Sequence, residues 1–198
     1  MISVYKLKPK FQQILTPILI FLHHRGVTAN QITISSIILS LLIGLAFWFA
    51  DSYHILFLAL PIGLFLRMAL NALDGMMARK YNQQSKKGEV LNELGDIISD
   101  LFIYFPLLKY EREHLYLIVI FICLSIINEF AGLLGKIVSN ERRYDGPMGK
   151  SDRAFIIGLY GLLCYFTINV SEFSVYVFSL IIALLIVSTL IRVNKSLK

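Results

Sequence analysis

Charged side chains are scarce in this sequence. Only 16% of its 198 residues are Asp, Glu, Lys or Arg, whereas 57% are apolar and the mean hydropathy is +0.69. Soluble domains usually carry about a quarter charged residues. The apolar residues also form long runs instead of short alternating stretches. These features exclude an ordinary soluble domain and predict a polytopic membrane protein.

Cysteine is almost absent. Cys123 and Cys164 both lie in apolar segments, which excludes a disulfide framework and a cysteine metal motif. A signal-peptide cleavage site is also missing after the first apolar run. We expect residues 10–25 to form an interfacial helix on the membrane surface; the alternative is a frayed first turn of the first span.

Six segments are long enough, at about 20 residues each, to cross a bilayer. They are predicted at residues 31–50, 54–73, 90–108, 115–135, 154–170 and 173–191. The predicted fold class is therefore all-α. A six-helix transmembrane domain occupies residues 31–198, and a cytoplasmic or interfacial segment occupies residues 1–30.

The basic residues predict the orientation of these spans. With six crossings, sixteen of the 19 Lys and Arg residues fall on one side, two (Lys109 and Arg112) fall on the other, and Arg67 lies within the second span. The positive-inside rule then predicts that both termini are cytoplasmic, in a membrane such as the bacterial inner membrane. The net charge of +6 requires no nucleic-acid partner.

Polar residues are concentrated where the second span ends and the third begins. Asn71 and Asp74 are three residues apart, and Asn92, Asp96 and Asp100 are spaced by four, so each set lies on one helical face. Two antiparallel helices would turn these faces toward each other. A divalent cation would relieve the repulsion between the carboxylates, and oxygen ligands suit magnesium, manganese or calcium.

Small residues and an arginine accompany this cluster. Gly75, Ala78 and Gly88 leave room for a ligand, and Arg79 lies on the same helical side as Asp74. A metal and an arginine beside carboxylates are typical of phosphoryl chemistry.

The same residues resemble the signature of the CDP-alcohol phosphotransferase family, DxxDGxxAR(x8)GxxxDxxxD, with every interval kept. The matching positions are Asn71, Asp74, Gly75, Ala78, Arg79, Gly88, Asn92 and Asp96. The segment VTANQIT, which opens the first predicted span, is also similar to the family's TPNxIT.

The resemblance implies a reaction. Family members transfer a substituted phosphoryl group from a CDP-linked donor, usually CDP-diacylglycerol, to an alcohol, and they release CMP. By this resemblance two metals, Mg²⁺ or Mn²⁺, bridge the donor pyrophosphate, Asp74 is a metal ligand and Asp96 is the general base. Asp74, Gly75, Ala78, Arg79 and Gly88 would bind the nucleotide. The resemblance also implies a homodimer formed through the third and fourth spans.

The chain departs from the signature at Asn71 and Asn92, where the family has aspartate. An amide oxygen still ligates a hard cation but brings no charge. The site would then hold one metal, or two metals weakly, or recover charge from Asp100 or Glu93. The alternative is a catalytically impaired relative that binds CDP-lipid or a partner enzyme and regulates lipid synthesis.

Two of the acids have other interpretations. Asp100 is either a metal ligand or a partner of Arg67 within the bundle, and Glu93 is expected to contact a neighbouring helix.

A third function, ion transport through intramembrane acids, is disfavoured because the acids cluster at the cytoplasmic end of the bundle and do not continue across the membrane. Glu129 and Asn128 are expected to hydrogen-bond between helices; the alternative is that they line the donor cavity.

A second basic cluster surrounds the predicted start of the fifth span. Lys136, Lys150 and Arg153 are predicted to bind the phosphate of the acceptor, which we expect to be a phosphorylated polyol. Ser151 or Asp152 is expected to cap this helix. Arg142 and Arg143 are instead predicted to be anchors that face anionic lipid.

Overall fold

The structure, a computed structural model, describes residues 7–198, and this part of the chain is helical with no strand. The all-α prediction is therefore confirmed. The helices are α1 (Leu7–His24), α2 (Ala29–Trp48), α3 (Ala59–Lys80), α4 (Lys86–Tyr104), α5 (Leu107–Tyr110), α6 (Leu115–Ser139), α7 (Lys150–Tyr165) and α8 (Ser171–Ser196). Two 3₁₀ turns, His54–Leu58 and Arg112–His114, precede α3 and α6. Residues 1–6 of the predicted interfacial segment lie outside the described residues.

Side-chain caps explain where several helices begin. Thr28 accepts a hydrogen bond from the Gln31 backbone, and Gln31 accepts one from the Thr28 backbone, so a capping box starts α2. Ser85 accepts from the backbone of Gly88 at the start of α4. At α7, Asp152 accepts from the backbone N–H of Gly149, which confirms a capping role for Asp152.

Among residues 7–198, four helical segments are long and apolar enough to cross a membrane. They are Ala29–Trp48, His54–Lys80, Arg112–Ser139 and Ser171–Ser196. The other two predicted crossings correspond to α4, which carries six Asp, Glu and Lys residues, and to α7, which has only 16 residues. The predicted third span also ends early, because Pro106 separates α4 from the short α5.

Helix α2 is the central element beside the predicted site. It packs against both α3 and α4, while α3 also contacts α1 and α7, and α6 packs along α8. Close approach of α2 to α4 depends on Gly44, where an added Cβ would lie 2.1 Å from the carbonyl oxygen of Phe102. Gly95 on α4 likewise leaves room for Ile37 of α2. This tight packing sets the distance between the polar faces of α3 and α4.

Two apolar clusters surround the polar centre. The larger one joins α2, α3, α4, α6, α7 and α8 through buried residues such as Phe47, Leu60 and Phe121. The smaller one fixes α1 to α3 through Leu15, Leu19, Leu73 and Met77. Large apolar residues also remain exposed on the outer faces of most helices, as expected for surfaces that contact lipid tails.

Candidate active site

The predicted polar faces of α3 and α4 do meet, through two crossed hydrogen bonds. Asn71 on α3 donates to Oδ1 of Asp96 on α4 at 3.3 Å, and Asn92 on α4 donates to Oδ2 of Asp74 on α3 at 3.2 Å. The partners run in opposite directions along the two helices, so the helices are antiparallel here. Each asparagine thus bonds the aspartate of the other helix.

Helix α2 supplies a third wall, which the sequence reasoning missed. Thr33 donates to Oδ2 of Asp74 at 3.0 Å, and Ser36 donates to Oδ1 of Asn71 at 2.6 Å. Both are buried, as is Ser40 one turn further on. The sequence contained a signal for this wall, because residues 33, 36 and 40 form a polar stripe along one face of a mostly apolar helix.

Asp96 has cationic neighbours. The ammonium group of Lys150, the first residue of α7, forms an ion pair with Oδ1 of Asp96. Arg67 donates to the backbone oxygen of Asp96 at 3.3 Å. Lys150, which was predicted to bind an acceptor phosphate, therefore lies directly beside the predicted general base.

Asp100 is engaged by two arginines. Its Oδ1 lies 2.7 Å from Nη1 of Arg67, and its Oδ2 accepts from Nη2 of Arg153 at 3.1 Å. All three side chains are buried, and Arg153 is only 1% exposed. Of the two interpretations of Asp100, the structure shows the pairing with Arg67.

Glu129 of α6 joins three other parts of the chain. It accepts from Arg153 at 2.8 Å and from Arg142 at 3.2 Å, and it lies 3.9 Å from Nη1 of Arg192 on α8. The expected role in bonding between helices is therefore observed. The three guanidinium groups compensate the charge of this buried carboxylate, and the contacts tie α6, α7 and α8 together.

The prediction that Arg142 faces anionic lipid is wrong. Its Nε and Nη2 bond the two oxygens of Glu93 at 2.5 and 2.6 Å, in a bidentate pair that links the loop after α6 to α4. Burial opposes the charged form, yet the hydrogen bonds to Glu93 raise the pKa of Arg142 above its usual value. Sequence alone did not show that this loop folds back over the bundle.

The same loop covers the glycine face of α6. The backbone N–H of Arg143 donates to the carbonyl of Gly132 at 3.0 Å, and an added Cβ at Gly135 would lie 2.8 Å from the carbonyl oxygen of Glu141. Gly132 and Gly135 therefore provide close packing, as expected, but their neighbour is a loop of this chain.

The predicted nucleotide residues have different surroundings. Arg79 is exposed, and its guanidinium lies over Gly75, where an added Cβ would approach Nη1 to 3.3 Å. Ala78 packs against the smaller apolar cluster. At Gly88 an added Cβ would lie 2.7 Å from Oδ1 of Asn30, so this glycine permits close contact between the starts of α2 and α4.

Lys136, the third residue of the predicted phosphate site, forms an ion pair with Glu89 of α4. Both side chains are about half exposed, so this pair lies at the rim of the bundle. Lys136 therefore differs from Lys150 and Arg153, which contact Asp96 and Asp100 in the interior.

The residues present are of the kind that fits a hard cation. Within residues 7–198, no three His, Cys, Asp or Glu side chains form a metal-binding group. Asp74 is 3% exposed and forms no ion pair in the described part of the chain; its side-chain hydrogen bonds come from Thr33 and Asn92, which are uncharged. A buried carboxylate without a counter-charge is costly. Asp74 and Asp96, with the amide oxygens of Asn71 and Asn92, supply the oxygen donors that Mg²⁺ and Mn²⁺ prefer.

Comparison with known proteins identifies the family of this chain. The family model described as CDP-alcohol phosphatidyltransferase matches residues 26–193. The chain is 49% identical over 160 residues to the inner membrane protein YnbA of Escherichia coli K12, covering 81% of this chain and 79% of that protein. It is 35% identical over 100 residues to the archaetidylinositol phosphate synthase of Pyrococcus horikoshii, covering half of each chain.

A solved structure has the same fold. The phosphatidylinositol phosphate synthase PgsA1 of Mycobacterium tuberculosis, crystallised with manganese and citrate, superimposes with a TM-score of 0.73 at 20% identity, covering 91% of this chain and 88% of that one. The family match spans most of the sequence and includes every residue of the crossed pairs. This chain belongs to the CDP-alcohol phosphatidyltransferase family.

Proposed function

We propose that this chain transfers a phosphatidyl group from a CDP-linked lipid, such as CDP-diacylglycerol, to the hydroxyl of a phosphorylated polyol, and that it releases CMP. The crossed Asn–Asp pairs between α3 and α4, at the signature positions of the family, carry this proposal. They place two carboxylates and two amides around one point of the bundle.

Asp96 is the proposed general base. The contacts from Asn71 and Lys150 both end on its Oδ1. Its Oδ2 is therefore the oxygen available to accept the proton of an acceptor hydroxyl. A base must lie within hydrogen-bond reach of the proton that it removes, so the acceptor hydroxyl is expected on the Oδ2 side.

Asp74 is the proposed principal ligand of a divalent cation, Mg²⁺ or Mn²⁺, with Asn71, Asn92 and Asp96 as further oxygen donors. Such a cation neutralises charge on the pyrophosphate and on the CMP leaving group. The two contacts between Asp100 and arginine support removing Asp100 from this ligand set. Its proposed role is to hold Arg67 and Arg153 in place.

The donor nucleotide is proposed to bind along the carboxyl-terminal part of α3. Arg79 is exposed and close to Gly75, so its guanidinium is free to turn toward a phosphate. Ala78 and Gly88 remain in the proposed nucleotide site. Their observed packing contacts indicate that they also set the positions of α1, α2 and α4 around it.

A phosphorylated polyol is the proposed acceptor. The two named synthases in the comparison both carry inositol phosphate in their names, and the basic residues Lys136, Lys150 and Arg153 support an anionic acceptor. These three residues differ in how many N–H donors remain for an acceptor phosphate. The terminal nitrogens of Arg153 already bond Asp100, Glu129 and the backbone of Met148, whereas each lysine has one carboxylate partner and further N–H donors.

We also propose six crossings with both termini in the cytoplasm. The bias of Lys and Arg supports this topology, and the E. coli relative is named as an inner membrane protein. On α4, Asp96 and Asp100 face the polar centre and Glu93 pairs with Arg142, so this helix can cross while its apolar side faces lipid. Exposed apolar residues on α4 and α6, such as Ile98 and Ile127, are the proposed surface of a homodimer.

The second candidate function is an impaired relative that binds CDP-lipid, or a partner enzyme, and regulates lipid synthesis. Asn71 and Asn92 favour it, because they remove two charges from the family's metal site. Restoring aspartate at both positions discriminates between the two functions. A large gain of transferase activity in the N71D/N92D variant would show that the wild-type protein is the catalytically impaired relative.

The test of the first function uses purified protein in neutral detergent with CDP-diacylglycerol and Mn²⁺. We expect CMP release with inositol phosphate or glycerol phosphate, and release slower by about 10²-fold or more in the Asp96→Asn variant. Absence of both cytidine nucleotide binding and CMP release, with every acceptor tried, would overturn the proposal.

A further inference from the structure

The carboxylates around the site differ in how far their charge is already compensated. Asp100 faces Arg67 and Arg153, and Asp96 faces Lys150. Only Asp74 is buried with uncharged partners. Within the described part of the chain, the site therefore has one buried carboxylate without an ion-pair partner and one that already contacts a lysine ammonium.

We propose that this site holds a single divalent cation, at Asp74, and that the ammonium group of Lys150 supplies the second positive charge, at Asp96. This inference rests on the proposed function and deepens it. It departs from the two-metal arrangement that the family resemblance implies. It also gives Lys150 a role beyond the binding of an acceptor phosphate.

Charge explains why two ions do not fit well. Two divalent ions would bring four positive charges to a site where only Asp74 and Asp96 lack an arginine partner. The ammonium of Lys150 would add a fifth positive charge beside them. Affinity for hard cations depends on the number of charged ligands, and two signature ligands are neutral amides here. One divalent ion and one ammonium group match the available carboxylates better.

Lys150 is held in place by the fold. It is the first residue of α7, whose start is fixed by the hydrogen bond from the backbone of Gly149 to Asp152. Helix α7 also packs against α3. An ammonium group has three N–H donors, and Asp96 uses one of them. The remaining donors can reach a phosphoryl oxygen, so Lys150 can connect Asp96 to the substrate as a bridging cation would.

The inference predicts that Lys150 weakens metal binding. Two cations within a few ångströms repel each other, so Lys150→Met should tighten Mn²⁺ binding by about tenfold or more. Lys150→Arg keeps the charge and should stay near wild type. Lys195→Met is the matched control, because it removes a lysine that pairs with Asp145, a loop residue away from the crossed pairs. It should leave Mn²⁺ affinity unchanged.

The experiment is a titration of each purified protein with Mn²⁺ in neutral detergent, with and without CDP-diacylglycerol. Electron paramagnetic resonance of free Mn²⁺ gives the number of bound ions and their affinity. We expect one ion per wild-type chain, tighter binding in Lys150→Met, and two ions in the N71D/N92D/K150M variant. Size-exclusion chromatography identifies variants that fail to fold, and Lys150→Arg then tests the charge dependence.

Several results would overturn the inference. They are two wild-type ions of similar affinity, no bound Mn²⁺ in either titration, and unchanged or weaker binding in Lys150→Met. The count of bound ions is independent of turnover. A protein that binds one Mn²⁺ ion but neither binds cytidine nucleotide nor releases CMP would therefore refute the proposed function and leave this inference standing.

Discussion

The side-chain amide of Asn92 donates a hydrogen bond to Asp74 across 3.2 Å and so joins α4 to α3. An aspartate at position 92 would instead place a second negative charge against a buried carboxylate. The amide therefore lets the two helices meet without a bound cation. Asn71 does the same for Asp96. We therefore expect asparagine at these positions to lower metal affinity and, in exchange, to stabilise the metal-free site.

The first prediction follows from this exchange. The N71D/N92D variant should lose about 2–4 kcal/mol of stability in EDTA, because two hydrogen bonds become like-charge contacts. Saturating Mn²⁺ should restore most of that loss. Thermal unfolding in detergent, with EDTA or Mn²⁺, measures both effects.

Asn194→Asp is the control for that pair, since Asn194 is exposed on α8. It should unfold like the wild type in both conditions. A double variant that is as stable as wild type in EDTA would contradict the exchange between metal affinity and stability.

The second prediction concerns the proposed base. Asp96→Asn keeps the size and hydrogen-bonding capacity of the side chain but cannot take a proton. We expect turnover to fall by about 10²-fold or more, with Mn²⁺ binding reduced much less. CMP release and Mn²⁺ titration on the same preparation separate these effects.

Asp51→Asn is a suitable control for Asp96→Asn. Asp51 is exposed in the loop after α2 and pairs with Lys109. The same chemical change there should leave CMP release within about twofold of wild type, since exposed pairs contribute little. Equal losses in both variants would refute a specific role for Asp96.

The third prediction tests the buried arginine network. Arg153→Met leaves Asp100 and Glu129 without one of their cations, and removing one partner of a buried pair costs about 3–5 kcal/mol. A loss of that size should appear in thermal unfolding. Adding Glu129→Gln should recover part of it, because one stranded charge is removed.

Lys109→Met provides the comparison for the arginine network. Its partner Asp51 is about half exposed, so the loss should stay below about 1 kcal/mol. If the Arg153→Met/Glu129→Gln variant is no more stable than Arg153→Met, the arginine stabilises the fold through packing alone.

The fourth prediction concerns the spacing of the helices. Gly44→Ala would place a methyl carbon 2.1 Å from the carbonyl oxygen of Phe102, so α2 and α4 must separate. We expect the free energy of unfolding to fall by about 1–3 kcal/mol. Mn²⁺ binding should also weaken, since Asn92 and Asp96 lie on α4. Unfolding and Mn²⁺ titration measure the two effects.

Gly158→Ala is the matched change in another helix. An added Cβ there would lie 3.4 Å from Pro61, which is an ordinary contact, so stability and Mn²⁺ affinity should stay near wild type. If Gly44→Ala behaves in the same way, the packing of α2 on α4 does not control the site.

Much of this protein was predictable from sequence because it depends on local periodicity. The long apolar runs predicted an all-helical membrane protein, and intervals of three and four placed Asp74 with Asn71 and Asp96 with Asn92 on common faces. The polar stripe that includes Thr33 and Ser36 followed the same rule and was available in the sequence. Such spacing identifies a helical face without naming its neighbour.

Only the tertiary structure decided which charges meet. Lys150 contacts Asp96 across more than fifty residues of chain, and Arg142 bonds Glu93 because the loop after α6 folds back over the bundle. Asp100 became a structural partner of arginine for the same reason. The period of a helix is set by its own backbone, whereas a buried ion pair depends on how separate helices pack and on which charges must be compensated away from water.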